Sequence, residues 1–536
     1  MFNLFNIRKQ LPENLSSTFG EPKNERFNFE QTAKYFWKRD KVDVFQRLSN
    51  KTCADLDFEE LFMYADRTHS KVGQQFLYDK LRTIPDDLNQ NGKFEKIIDQ
   101  FVTDFVFRDH VQKKLSRLNK PEAFYLRSLF QDEHLKSPRW FSVAPWLSAA
   151  SIVLLIGAYF KPVLFFGWLL VIFINVGIHF WNKNNLNQYL SSLPQLLVLN
   201  KVANELFSTN ELKLIDPHLK EALNELGKVR SRLAFFQFES SVQTDLGVLA
   251  WVPLELIKMV TLFEPQLLFH VLNRLDSKRK EIARIFQFVG QVDVLASIAA
   301  LRNGVSKFCI PHIHDSSKGL EATNVYHPLI PECVRNTIVL NEKSVLLTGS
   351  NMSGKTSFIR TIAINVITGL TLNTCFADCF SMCRMKMYSA IRISDDLLND
   401  RSYYFEEVLT IKEMINASES DYTNLFLLDE IFKGTNTIER IAAGKSVLSY
   451  LNRRNNIVFV STHDVELADL LKAEYELYHF SELVDHQTVD FDYKLKRGKL
   501  TNRNAIRILQ INNYPTEIIN EAMELAKGLD VIKSGS

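Results

Sequence analysis

The sequence lacks a dominant charge. Its 64 lysines and arginines meet 62 aspartates and glutamates, for a formal net charge of +2, so no global electrostatic footprint for a polyanion is present. The basic clusters Lys278-Arg279-Lys280 and Arg453-Arg454 read as solvated helix faces, and no base-reading motif is present. Cysteine is scarce, six in 536 residues without regular pairing, which fits a reducing compartment. Cys375, Cys379 and Cys383 recur every four residues, as metal ligands along one helical face would, but no fourth ligand follows at zinc-site spacing, so they read as buried cysteines. Met1 to Gln10 contains no long apolar run, and no cleavable signal peptide is expected there. Internal repeats and long low-complexity tracts are also missing.

What is present begins with Gly349-Ser350-Asn351-Met352-Ser353-Gly354-Lys355-Thr356, followed by Ser357 and preceded by the apolar run Val345-Leu346-Leu347. The pattern G-x-x-x-x-G-K-[ST] after a strand predicts a phosphate cradle, in which backbone N–H groups and a helix N-terminus face the anion. Lys355 then reaches the β/γ-phosphates and Thr356 offers its hydroxyl to Mg²⁺. Downstream, Leu425-Phe426-Leu427-Leu428 leads to Asp429-Glu430, a buried strand with two carboxylates at its exposed end. Asp429 is the expected metal ligand and Glu430 the residue that polarises an attacking water. A third strand, Ile457 to Val460, places His463 at its end, where a γ-phosphate is sensed.

Together these segments resemble the ATPase domain of the MutS family, the ABC-type ATPases of DNA mismatch repair. The phosphate loop is similar to the family's T-G-x-N-M-x-G-K-[ST], with Ser353 where glycine is usual. Arg392 to Leu397 followed by Arg401-Ser402 resembles the signature segment, with Asn399 and Asp400 replacing the usual small pair. Asp429 to Thr437 resembles D-E-I-G-R-G-T-S-T, with Phe432 for glycine, and Ser461-Thr462-His463 matches. Leu56 to Gln75, Phe286 to Ala299, Asn324 to Leu329 and Arg503 to Pro515 resemble the opening and end of the family's core, the beginning of its ATPase domain and a closing helix-turn-helix. The resemblance implies ATP and Mg²⁺ as cofactors, a homodimer in which Ser402 reaches the partner's nucleotide, and duplex DNA as ligand. The residues ahead of Leu56 are too few for an ordinary domain of about 100 or more, so the family's mismatch reader is expected to be absent.

The core is interrupted from Trp140 to Trp181. Two uncharged arms, Trp140 to Phe160 and Val163 to Phe180, flank Lys161-Pro162, and each approaches the ~20 residues that cross a bilayer. Tryptophan, tyrosine and phenylalanine mark the ends, and Lys136, Arg139 and Lys183 lie on one side. This predicts a transmembrane hairpin in the cytoplasmic membrane, contacting lipid through residues 140–181, with both termini and the nucleotide site in the cytoplasm. The alternative is a buried αα-hairpin of a soluble lever. Leu246 to Leu272, interrupted by Glu255, Lys258 and Glu264, reads as a packed or membrane-apposed helical segment.

The expected fold class is therefore α plus α/β. A helical leader (1–50) precedes a helical core and lever (51–138 and 183–310) split by the hairpin (139–182), and an ABC-type P-loop NTPase domain follows (311–536).

Overall fold

A computed structural model describes residues 18–39, 44–87, 92–228, 235–236, 247–314, 318–350, 352–392, 403–484, 489–500, 505–512 and 514–534. Helix and sheet are mixed, and the chain divides into two compact units. Residues 1–42, 65–82 and 89–305 form the first, and 43–64, 83–88 and 306–536 the second. Residues 43–64 and 83–88 thus cluster with the C-terminal part of the chain, not with the helices beside them in sequence.

Unit 1 is helical. Helices α1 (Phe29–Lys38), α2 (Lys71–Arg82) and α7 (Arg279–Gly304) share a core of Tyr35, Phe36, Leu77, Phe286 and Val289. Two glycines permit the close approach of α2 and α7: a Cβ on Gly73 would lie 2.1 Å from an Asp293 carboxylate oxygen, and one on Gly290 2.7 Å from Phe76. Asp293 in turn accepts hydrogen bonds from the backbone N–H groups of His69 and Ser70, both at 2.8 Å, capping the start of α2.

Helix α3 (Ala144–Phe160) follows a short 3₁₀ turn, and α4 (Leu164–Phe207) returns beside it. The sequence boundary at residue 182 is not a break: α4 is one helix of 44 residues that carries Pro194 in its interior. Among the described residues, three helices are long and apolar enough to cross a membrane, Arg139–Phe160, Leu164–Lys183 and α7. They differ in packing, since 78% of the apolar window of α7 is buried, against 17% and 11% in the other two. After the hairpin, α5 (Gly247–Thr261) and α6 (Phe263–Asp276) pack beside α3 and α4.

Unit 2 is built on a six-stranded sheet, whose strands are β1 (Ser344–Thr348), β2 (Lys386–Ala390), β3 (Asn424–Asp429), β4 (Ile457–Thr462), β5 (Tyr475–His479) and β6 (Lys496–Arg497). The spatial order is β6-β5-β1-β4-β3-β2, all parallel except β6. Strands β1 and β4 are buried along their whole length, the pattern of a parallel sheet covered on both faces. Helices α8 (Lys355–Leu372), α9 (Tyr403–Ser418) and α10 (Thr437–Leu451) connect the strands. Cys379–Cys383 is a strand of a second sheet, and Cys375 pairs with Cys309 in an isolated bridge. The four-residue cysteine spacing therefore does not fall on a helix. Two helices, Ala505–Ile511 and Thr516–Ser534, close the described chain.

Candidate functional site

The register of the parallel sheet brings three strand ends together. Thr462 lies opposite Thr348, and Ser461 lies opposite Asp429, so the loops after β1, β3 and β4 leave the sheet at one level. This is the edge at which open α/β sheets place their ligands.

After β1 the chain turns through Gly349 to Gly354 and begins α8 at Lys355. Gly354 has φ of +105°, and a Cβ there would meet the Tyr493 ring at 3.2 Å. A Cβ on Gly349 would lie 2.7 Å from the Phe480 carbonyl. Glycine is thus required at Gly354 by backbone conformation and at Gly349 by close approach. The Lys355 ammonium sits inside the loop and donates to the carbonyls of Gly349 and Ser350, both at 2.7 Å. Burial pushes its pKa down, opposed by the nearby Glu430 and Asp429 carboxylates. Ser353 is buried and donates to the Ser350 carbonyl at 2.8 Å, while Met352, in left-handed conformation, is exposed. Asn351 lies outside the described residues.

Thr356 donates through Oγ1 to Asp429 Oδ2 at 2.8 Å, and Ser461 Oγ donates to the other carboxylate oxygen. Glu430, held at φ of +50°, donates its backbone N–H to the Ser461 carbonyl at 2.9 Å. Its carboxylate faces His463 Nδ1 at 3.6 Å and pairs with Lys433 Nζ at 2.8 Å. The imidazole, and then Lys433, hold the Glu430 pKa down at about 2 against its burial, and the same carboxylate raises His463. Lys355, Thr356, Asp429, Glu430 and His463 are therefore gathered at one place, with Ser350 and Ser357 beside them. A cavity of ≈ 490 Å³ opens there, whose lining includes the polar Ser350, Lys355, Thr356, Ser357 and Glu430 and the apolar Val325, Ile330 and Val334, with the Tyr493 ring. A lining of both kinds suits a ligand with a charged part and an apolar part. Ser402, with Asp400 and most of the signature-like segment, lies outside the described residues.

Several residues at this site were not singled out from sequence. Asp57, itself at φ of +51°, accepts from Arg360 Nη1 at 3.0 Å and from Arg392 Nη2 at 3.1 Å. Asp55 accepts from Ser389 Oγ at 2.6 Å and from the backbone N–H groups of Ile391 and Arg392 at 3.1 and 2.8 Å. Arg360 lies on α8, just beyond the phosphate loop, and Arg392 is the first residue of the signature-like segment and the one residue of it that is described. The two aspartates therefore clamp the start of that segment to the helix that begins at Lys355. Arg440 and Asp464 form a two-point pair at 2.9 and 2.8 Å that steadies the turn after His463.

Comparison with known proteins agrees with this geometry. Residues 345–530 match MutS domain V. The DNA mismatch repair protein MSH3 of Kluyveromyces lactis is 29% identical over 276 residues, covering 48% of this chain and 26% of that protein. The DNA mismatch repair proteins MutS of Fusobacterium nucleatum and Oceanobacillus iheyensis are 27% and 24% identical, over 56% and 57% of this chain and 33% and 36% of theirs. The chain spans about a third of the length of the curated relatives it matches. With the matched segment running from β1 through the C-terminal helices, and the similarity to whole relatives extending well before it, the chain is similar to the MutS family over about half its length.

Proposed function

We propose that the protein is a membrane-anchored ATPase of the MutS type, which binds and hydrolyses ATP with Mg²⁺ at the Lys355 loop. The observation that carries the reading is a cavity lined by Lys355, Thr356 and Glu430, with Asp429 bonded to Thr356 and His463 facing Glu430 directly behind them. Bound nucleotide and metal would supply a polarised γ-phosphoryl group. The loop N–H groups and Lys355 would hold the phosphates, Thr356 and Asp429 the Mg²⁺, and Glu430 would orient and polarise the attacking water. Glu430 suits an orienting part because His463 and Lys433 keep it a carboxylate that accepts a hydrogen bond, while its lowered pKa makes it a weak base. A homodimer completed by Ser402, and binding of duplex DNA with a link to mismatch repair, are carried over from the family.

A second reading, a membrane ATPase outside repair that drives a conformational change in a membrane partner, is favoured by the hairpin. Its outer surface is apolar, with Trp146, Phe166 and Phe173 more than 70% exposed, while Ser151, Asn175 and Asn182 are fully buried. A helix pair in water has the opposite arrangement. Steady-state ATP hydrolysis by detergent-purified full-length protein tests both readings, alone and with homoduplex, mismatched or single-stranded DNA at one low salt concentration. Lys355-dependent turnover stimulated by duplex supports the DNA-processing reading; turnover indifferent to every DNA supports the second; turnover unchanged in Lys355→Ala refutes both.

A further inference from the structure

Helices α5 and α6 meet at Leu262, a non-glycine residue at φ of +47°, so the chain runs in along α5 and back along α6. The level of that tip is set by its partners. Asn175 Nδ2 donates to the Val260 carbonyl at 3.1 Å, and Ser148 Oγ donates to the Thr261 carbonyl. On α4, Asn175 lies about 9 Å from Trp181 at the helical rise per residue. Trp181 stacks edge-on with Trp140, 5.2 Å between ring centroids, at the base of the hairpin. Helix α6 starts at the level of Ser148, where Gln266 donates to its hydroxyl at 2.9 Å, and reaches Phe141 through Phe269 near that base, 4.8 Å between centroids. The tip therefore lies well inside the apolar band of the hairpin.

A helix that ends in an apolar medium leaves its last carbonyls without partners, an arrangement tolerated only where protein supplies donors. Here two of the last carbonyls of α5 receive hydrogen bonds from hairpin side chains. The charges are handled in the same way. Glu255 meets His179 Nε2 at 3.1 Å, Lys258 Nζ at 3.3 Å and Lys183 Nζ at 3.5 Å, and Lys258 also pairs with Glu264 at 2.9 Å. Two carboxylates and two ammonium groups cancel, and all three charged residues of α5 and α6 in this network are buried. Outward, the same elements present Leu256 and Ile257, each 58% exposed, and Phe263, 48% exposed.

We infer that α5 and α6 form a re-entrant wedge that enters the cytoplasmic leaflet beside the hairpin, with its tip at Leu262 and with Ile257 and Phe263 facing acyl chains. The partner is lipid, because the charged residues nearest the tip, Glu255, Lys258 and Glu264, are buried and ion-paired with one another and with His179 and Lys183, while the side chains left outward there are apolar. The inference rests on the membrane reading of the hairpin.

The test uses full-length protein in phosphatidylcholine/phosphatidylglycerol vesicles, with exposed Cys379 replaced in Cys379→Ser and nitroxides placed singly by Ile257→Cys, Phe263→Cys or Leu256→Cys. Phe166→Cys reports the hairpin and Leu470→Cys an aqueous surface, and the Cys379→Ser parent gives the background. The expected result is a ratio of oxygen to nickel-chelate relaxation that is raised at 256, 257 and 263 towards that of 166 and well above that of 470. A lipid-like ratio at 166 with water-like ratios at the other three overturns the wedge and leaves the hairpin reading intact. A water-like ratio at 166 as well overturns the membrane reading itself. Protection of 256, 257 and 263 from both reagents would mean protein covers them, which also overturns the wedge.

Discussion

Polar groups turn outward at one end of this chain and inward at the other. In the phosphate loop, Lys355 is buried, yet the glycines, Thr356 and Glu430 leave their functional atoms around an open cavity. In the hairpin, Asn175, His179 and Asn182 are buried and the surface is left to phenylalanine, leucine and tryptophan. A polar group removed from water is stabilised by a partner, and Lys355, Asn175 and His179 each have one. They differ in who supplies it. The loop uses its own backbone carbonyls, and so is formed before any ligand arrives; the hairpin uses α5 and α6. Site and hairpin are thus distinguished by which surface is left unfinished.

The largest effect that would break this contrast is at Lys355. Lys355→Ala is expected to lower kcat for ATP hydrolysis by at least about 100-fold, with an unchanged circular dichroism spectrum, because the loop carbonyls can turn to water. Glu430→Gln is expected to cost about 100-fold or more in kcat while leaving nucleotide affinity, read by fluorescent-nucleotide titration, near its starting value. In the hairpin, Phe173→Lys should weaken vesicle flotation, since an ammonium near the middle of an apolar span costs about 2.5–3.5 kcal/mol. The same change at exposed Leu470 should not.

Smaller effects sharpen the comparison. Asp57→Asn removes a partly exposed clamp between Arg360 and Arg392, worth about 1 kcal/mol of stability. A fall in kcat with unchanged nucleotide affinity would show that the clamp positions the following segment, and Asp57→Glu should recover part of it. The Glu430–His463 pair gives the smallest and most specific signal. His463 is raised by its partner, so its stabilisation is complete below the ordinary 6.5 and is lost as pH rises through the raised value. Glu430 contributes fully above the ordinary 4.5 and loses its contribution as pH falls towards about 2. Melting curves of wild type and His463→Asn should therefore converge as pH rises above 6.5 through the raised pKa of His463.

Local chemistry made much of this legible in the sequence. The phosphate loop, the Asp429-Glu430 strand end and His463 each declare themselves within a few residues, and the parallel sheet then has only to align them. The apolar arms of the hairpin declare themselves by length. Asp55 and Asp57 could not be read, because their partners lie more than 300 residues away in sequence and nothing around them marks a clamp. Cys375 and Cys383 are buried as read, but Cys379 is exposed, because its segment is a strand in which Phe380 and Met382 turn inward. The boundary at residue 182 followed the change from apolar to polar composition, which a helix crosses freely.

That uninterrupted helix has a mechanical corollary. A rod of 44 residues is about 66 Å long, and its only interior imide, at Pro194, leaves one backbone hydrogen bond unmade at a single point. Bending is therefore concentrated at one place, and from there to Leu164 the rod runs about 45 Å. A change of about 5° at that joint carries the far end through about 4 Å. The helix would turn a small angular adjustment at its proline into a sideways stroke at the tip of the hairpin, with no further moving part.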